Sequence, residues 1–290
     1  VLIDTFSLCF KARNACVMKG GSQAAFSNGA LAWLIMEAID SERGDDWQLM
    51  DCILLLSNDR AVVAEFLKMD KYVDVIVPRG GQGLIDFVRE NSSIPVIETG
   101  RGVCHTFVDE SADLQMSKDI VFNAKTTRPI VCNSLDTLLL HESRVDDLKA
   151  LMRPLDDFGV DIYADEKSFA ALEGNYDKDK LFKAEEDSFG KEFLGLSMSV
   201  KVVKEVMEAV EHINTFGSKH SEDLVTESKE SSEMFLAGVD AAAVYHNASI
   251  RFTDGAVFGL GAEVGISTQK LHARGPMGIK ELTSYKWLVR

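Results

Sequence analysis

Apolar runs of only four or five residues recur along nearly the whole chain, each separated from the next by a helix-length stretch. This rhythm restricts the fold more than any other feature. Residues 15–18, 53–56, 73–77 and 95–98 read as strands. Residues 24–39, 59–69 and a segment closing near Arg89 carry helical spacing between them, and residues 2–12 read as the end of a helix. Short strands that are apolar on both faces and joined through helices belong to a parallel sheet covered on both sides. The alternation resumes from Val103, with strands expected at 104–108, 138–141, 160–163, 199–203, 224–225 and 242–245. Helices are expected at 114–126, 145–157, 206–215 and 230–237. The reading is two α/β domains with a boundary near Cys104.

Composition excludes several classes. The chain has 290 residues, 46% hydrophobic and 27% charged, as in ordinary globular proteins. Its longest apolar runs, 52–56 and 138–140, fall far below the ~18–20 residues of a membrane span. No secretory signal opens it. It starts at Val1, inside an apolar pattern and without Met, which suggests a fragment lacking its N-terminal part. The net charge of −15 argues against a nucleic-acid binder, and the excess is uneven. Residues 141–240 hold 12 basic and 24 acidic groups, a solvated helical surface, whereas 241–290 hold 6 and 3. The five cysteines (9, 16, 52, 104 and 132) are odd in number and widely spaced, with no CxxC pair. A disulfide framework or structural zinc site is therefore not expected. A reducing compartment suits them better, with four buried as small hydrophobes and one reactive.

Four stretches carry candidate chemistry. Lys19-Gly20-Gly21-Ser22 and Arg79-Gly80-Gly81-Gln82-Gly83 each follow an expected strand and open a helix, where free N–H groups and the helix dipole favour an anion. Neither matches a standard nucleotide-loop motif, and glycines at such junctions serve turn geometry equally well. Two such loops, each with a cation beside the glycines, tilt the reading toward a nucleotide cofactor. Cys132 lies in a loop, 127–134, broken from the preceding helix by Pro129 and with Arg128 nearby, a setting that favours a nucleophilic thiolate. Most lone cysteines are inert core residues, and a Cys–His hydrolase would have to recruit His105, His141, His220 or His272 through the fold. The C-terminal run 247–276 is rich in glycine and hydrogen-bonding side chains, as binding loops are.

The segments VDVIVPRGG (73–81), RPIVCN (128–133), NASIRFTDG (247–255) and LHARGPMG (271–278) resemble the signatures of the gamma-glutamyl phosphate reductases, or glutamate-5-semialdehyde dehydrogenases, of the aldehyde dehydrogenase superfamily. The resemblance runs from Val1 to Arg290. It implies an aldehyde dehydrogenase-like α/β fold. Residues 1–104 would form an incomplete Rossmann-type NADPH-binding domain, 105–275 the catalytic domain, and 276–290 a segment returning toward the cofactor domain. It implies NADPH-dependent reduction of L-glutamyl 5-phosphate to the 5-semialdehyde, the second step of proline synthesis, through a thioester on Cys132. Lys19, Gly20, Gly21, Ser22, Arg79, Gly80, Gly81 and Glu192 would hold the cofactor. Arg128, Asn133, Asn247, Ser249 and Arg251 would hold the substrate, with no metal required. Glu98 falls where hydrolytic relatives keep a general base, which a phosphate-expelling reductase does not need. The resemblance also implies a cytoplasmic homo-oligomer with no nucleic-acid or membrane partner, and glutamate 5-kinase as a possible supplier of substrate. Arg13, His246 and Ile250 depart from the family pattern, where Gly, Val and Thr are usual. Position 13 could require a positive φ. The competing expectation is a truncated, catalytically silent subunit of the same fold.

Overall fold

The computed structural model describes residues 2–290. It divides into two compact units, one containing the residues up to Thr99 together with Asp254–Arg290, the other Gly100–Thr253.

The first unit runs α1 (Leu2–Lys11), β1 (Cys16–Met18), α2 (Ala25–Glu42), β2 (Ile53–Leu55), α3 (Arg60–Phe66) and α4 (Gln82–Asn91). β1 and β2 pair in parallel, Cys16 opposite Ile53, over a cluster of Phe6, Ile39 and Ile53. Arg13, in the turn between α1 and β1, has φ of 62°, the left-handed conformation expected there. The strands expected at 73–77 and 95–98 shrink to a single parallel bridge, Ile76 to Val96. Pro78 and Pro95 bound this bridge, and proline offers a carbonyl but no N–H to extend a ladder. Cysteine burial also differs from expectation. Only Cys104 is fully buried, while Cys9, Cys16, Cys52 and Cys132 are partly exposed.

The second unit is a seven-stranded, wholly parallel sheet. Its elements are β3 (Cys104–Val108), α5 (Leu114–Thr126), β4 (Leu135–His141), α6 (Leu148–Phe158), β5 (Asp161–Ala164), α7 (Glu166–Leu172), β6 (Leu181–Lys183), β7 (Ser197–Val203), α8 (Val206–Phe216), β8 (Ser221–Val225), α9 (Lys229–Gly238) and β9 (Ala243–His246). The strand order is β6-β5-β7-β4-β3-β8-β9. β4 shows why the run of leucines is required. Leu138 and Leu140 enter the core on one face of the sheet and Leu139 the core on the other. Asp113 caps α5 by accepting from the Met116 N–H (2.7 Å), which fixes where that helix begins.

A polar layer interrupts the core beneath α8. Glu222 Oε2 accepts from the His105 backbone N–H (2.7 Å) and lies 2.9 Å from His105 Nδ1. His212 lies with its ring centroid 5.6 Å from that of His105, and Lys201 Nζ is 3.1 Å from His212 Nδ1. Burial lowers the His105 pKa to about 3. Burial, then the neighbouring His105 and Lys201, lower that of His212 to about 2, and burial pushes Glu222 well up.

After β9 the chain leaves this unit at Asp254, so residues 254–275, expected with the catalytic domain, cluster with the first unit instead. There β10 (Gly265–Ser267) and β11 (Gly275–Met277) pair antiparallel, and Met277 and Ala273 pack with Val77 and Ile97. Among the described residues no helix is long and apolar enough to cross a membrane.

Candidate active site

Cys132 stands at the tip of a tight turn just before β4. Two successive turns follow α5, closed by the Val131 N–H on the Arg128 carbonyl (3.4 Å) and the Ser134 N–H on the Val131 carbonyl (3.0 Å). Cys132 and Asn133 are the central residues of the second turn, with Arg128 exposed upstream. The carbonyl side of the turn presses on the chain entering β3. A methyl group built on Gly102 would collide with the Cys132 carbonyl and lie 2.9 Å from the Cys132 Cα, so only glycine fits there. The Gly102 N–H donates to Glu192 Oε1 (2.8 Å), which brings Glu192 to the same place.

Cys104 supplies the next contact. Its thiol donates to the Cys132 carbonyl at 3.2 Å. Burial pushes the Cys104 thiol well up, and Glu222, Asp136 and Cys132 add to the push. It therefore stays protonated and serves as a donor. Asp136 accepts from the Phe193 N–H (3.0 Å), tying the stretch that carries Glu192 to the base of β4. Burial raises the Asp136 pKa to about 7, opposed by Lys125, whose own pKa burial lowers to about 8 while its Nζ donates to the Leu135 carbonyl (2.7 Å).

Asn133 is buried and its Nδ2 donates to the Thr253 carbonyl (2.9 Å) and, more weakly, to that of Arg251 (3.4 Å). The 249–253 segment thus lies directly against the Cys132 turn. Ser249 caps its short helical turn, accepting from the Arg251 N–H (3.3 Å). Asn247 is placed differently. Its φ is 56°, and its carboxamide donates to the Thr226 carbonyl (3.0 Å) and accepts the Thr226 N–H (2.9 Å). That amide joins the ends of β8 and β9. His246 Nε2 donates to the same carbonyl (3.0 Å), and Ile250 is fully buried in the core.

The first unit holds both glycine loops. Gly20 packs so closely on Asn28 that a side chain would collide with its carboxamide, whereas beside Gly21 the space is open. Gly21 and Gly81 are the N-caps of the helical segments that follow, and neither segment has a side-chain cap. A methyl on Gly81 would meet nothing within 4 Å. Uncapped N–H groups behind an open glycine backbone are what a phosphate group needs, so these residues fit a dinucleotide. Arg79 packs over Gly265 and stands beside Glu263. Glu98 pairs with Arg89 (3.7 Å).

A gamma-glutamyl phosphate reductase of Pelodictyon phaeoclathratiforme is 52% identical over 289 residues, covering 100% of this chain and 68% of that protein. Among solved structures, the gamma-glutamyl phosphate reductase of Thermotoga maritima matches with a TM-score of 0.91 at 42% identity, over 100% of this chain and 69% of that one. The chain belongs to the gamma-glutamyl phosphate reductase family. An acetylating aldehyde dehydrogenase from Geobacillus thermoglucosidasius shares the fold, with a TM-score of 0.73 at 19% identity over 100% of this chain and 73% of that one. No protein-family model matches the chain. Membership of the gamma-glutamyl phosphate reductase family makes the protein an oxidoreductase with a role in proline biosynthesis. Gly102, Cys104, Asp136 and Thr253 contact the Cys132 turn or the stretch carrying Glu192, and sequence reasoning did not single them out for this. Each acts through a contact that exists only once strands far apart in sequence are paired.

Proposed function

We propose that the protein reduces L-glutamyl 5-phosphate to L-glutamate 5-semialdehyde with NADPH, releasing phosphate through a thioester on Cys132. The observation that carries this reading is the Val131–Ser134 turn, which displays Cys132 at its tip against Gly102, with Glu192 attached to the same glycine. The Cys132 thiolate attacks the acyl carbon, a C–S bond forms, and the C–O bond breaks with its electron pair leaving on phosphate. NADPH, when bound, supplies the hydride that turns the thioester into the aldehyde and returns the thiolate. Lys19, Gly20, Gly21, Ser22, Arg79, Gly80 and Gly81 would hold its phosphates and adenosine end, and Glu192 its nicotinamide ribose. Arg251 and Ser249 would hold the substrate α-carboxylate, a guanidinium being the natural bidentate partner, and Arg128 would attract the acyl phosphate. Asn133 and Asn247 would support this pocket through the backbone they bind. We further propose a cytoplasmic homo-oligomer, with glutamate 5-kinase the candidate partner because the acyl phosphate is labile.

The test is Cys132→Ala assayed in the reverse direction, as phosphate-dependent formation of NADPH from glutamate semialdehyde. Activity should be abolished, and in the unmodified protein iodoacetamide should label Cys132 before the other four thiols. Retained turnover, or first labelling of Cys9, Cys16, Cys52 or Cys104, would exclude this reading.

A further inference from the structure

The two flanks of the Cys132 turn are linked by a circuit of buried groups, hydrogen-bonded except where Cys104 packs on His220. On one side the Cys132 carbonyl accepts from the Cys104 thiol (3.2 Å), and Cys104 Sγ lies 3.9 Å from His220 Nδ1. His220 Nδ1 is 2.8 Å from Ser221 Oγ, and Ser221 Oγ is 2.6 Å from Thr253 Oγ1. Thr253 then closes the circuit, because its carbonyl accepts from Asn133 Nδ2 (2.9 Å), the residue next to Cys132. Cys104, His220 and Ser221 are fully buried and Thr253 is 1% exposed. Tyr245 anchors the ring from outside, its hydroxyl 2.7 Å from Thr253 Oγ1.

We propose that His220, Ser221 and Thr253 are positioning residues that hold the Cys132–Asn133 turn at the geometry its attack requires. This rests on Cys132 being the nucleophile. The hydroxyl protons support it, since they can run one way, Tyr245 to Thr253 to Ser221 to His220 Nδ1. In that order every hydroxyl donates once and Nδ1 of a neutral imidazole is the terminal acceptor, the ring proton sitting on the buried, unpartnered Nε2. The 3.9 Å approach of Cys104 Sγ to Nδ1 is then a packing contact, because the thiol proton lies on the Cys132 carbonyl. Burial lowers the His220 pKa to about 4, which keeps the ring neutral at ordinary pH. A chain of buried hydrogen bonds of this kind fixes the relative positions of the segments it joins more tightly than apolar contacts would. Here it joins β3, β8 and the segment after β9 to a single dipeptide.

The experiment compares Thr253→Val, isosteric but lacking the hydroxyl, with Thr253→Ser, which keeps it. The control is Thr106→Val, because Thr106 Oγ1 is buried on the same sheet and has no hydrogen-bond partner. Thr253→Val should slow iodoacetamide labelling of Cys132 and lower kcat by about tenfold or more, with KM for both substrates little changed. Thr253→Ser and Thr106→Val should label and turn over as the unsubstituted protein does. Should Thr253→Val be insoluble, Ser221→Ala breaks the same ring and is expected to show the same labelling defect. Unchanged labelling and kcat in Thr253→Val and Ser221→Ala, or an equal loss in Thr106→Val, would overturn the inference. Activity retained in Cys132→Ala would instead strike the underlying reading, so the two failures are separable.

Discussion

Adding one methyl group at Gly102 should displace Cys132 without touching its side chain. A Cβ at this position would collide with the Cys132 carbonyl and lie 2.9 Å from the Cys132 Cα, both backbone atoms that cannot rotate away. Comfortable carbon–carbon separation is about 3.5–4.0 Å, so the Cα alone must retreat by roughly 0.6–1.1 Å and the carbonyl further. The turn has little freedom to yield, since the Cys104 thiol holds its carbonyl and Thr253 holds Asn133. The alternative is for residue 102 to retreat, which pulls its N–H from Glu192 Oε1. A misplacement near 1 Å typically costs about 10²-fold in rate, and overpacking of this kind costs about 1–3 kcal/mol of stability. Gly102→Ala should therefore fold, melt about 2–12 °C lower, and lose about two orders of magnitude in kcat and in Cys132 labelling rate. Labelling by iodoacetamide with peptide mass spectrometry reads the thiol directly, and differential scanning fluorimetry reads the melting shift. A Gly102→Ala protein with unaltered labelling would refute the claim that this glycine sets the position of Cys132.

Three further outcomes are expected. His105, His212 and His220 stay neutral in the fold below their ordinary pKa of 6.5, so each makes stability fall as pH drops below that value; buried Glu222, Asp223 and Asp136, with raised values, act in the opposite sense. The two sets offset one another between about pH 5 and 6, so Glu222→Gln should steepen acid destabilisation there by roughly 1.4 kcal/mol per pH unit in urea titrations, and an unchanged slope would show Glu222 to be ionised in the fold. Arg13→Gly should raise stability by up to ~1 kcal/mol, because Arg13 holds φ of 62° that glycine adopts without strain; a lower melting temperature would count against that. Arg251→Lys should raise KM for the semialdehyde about tenfold, the loss of one charge-assisted hydrogen bond, while leaving KM for NADP⁺ near its starting value; equal shifts in both would assign Arg251 to structure.

How much of this was readable in the sequence depends on whether a residue's job is local. β3, α5 and the leucine run of β4 were legible because apolar runs and an Asp cap act within their own segment. β8 was nearly invisible, and only Leu224 and Val225 stood out, because its first three residues, Ser221, Glu222 and Asp223, are polar and yet fully buried. A reading that equates burial with apolarity must truncate such a strand. α7 and β6 were missed for a related reason, being short and flanked by charge. The loop around Cys132 was legible, but the tight packing at Gly102 was not, since nothing near position 102 reveals a backbone 30 residues away pressing on its Cα. Asn247 shows the converse case. Its residue type suits a substrate amide, and the fold shows what the sequence could not, that this carboxamide bonds the Thr226 backbone.

The buried polar residues, unlike the other misreadings, share a location. The buried polar residues that spoil the apolar pattern, His105 on β3, Ser221 and Glu222 on β8, with His220 just before it, lie at the N-terminal ends of adjacent central strands, beside the residues that touch the Cys132 turn. Polar groups at such depth lower stability unless each is paired, so a chain that places them there departs from what folding alone would favour. The disagreement between local pattern and burial is therefore informative. Here it falls on the stretch of sheet that carries the contacts to the Cys132 turn.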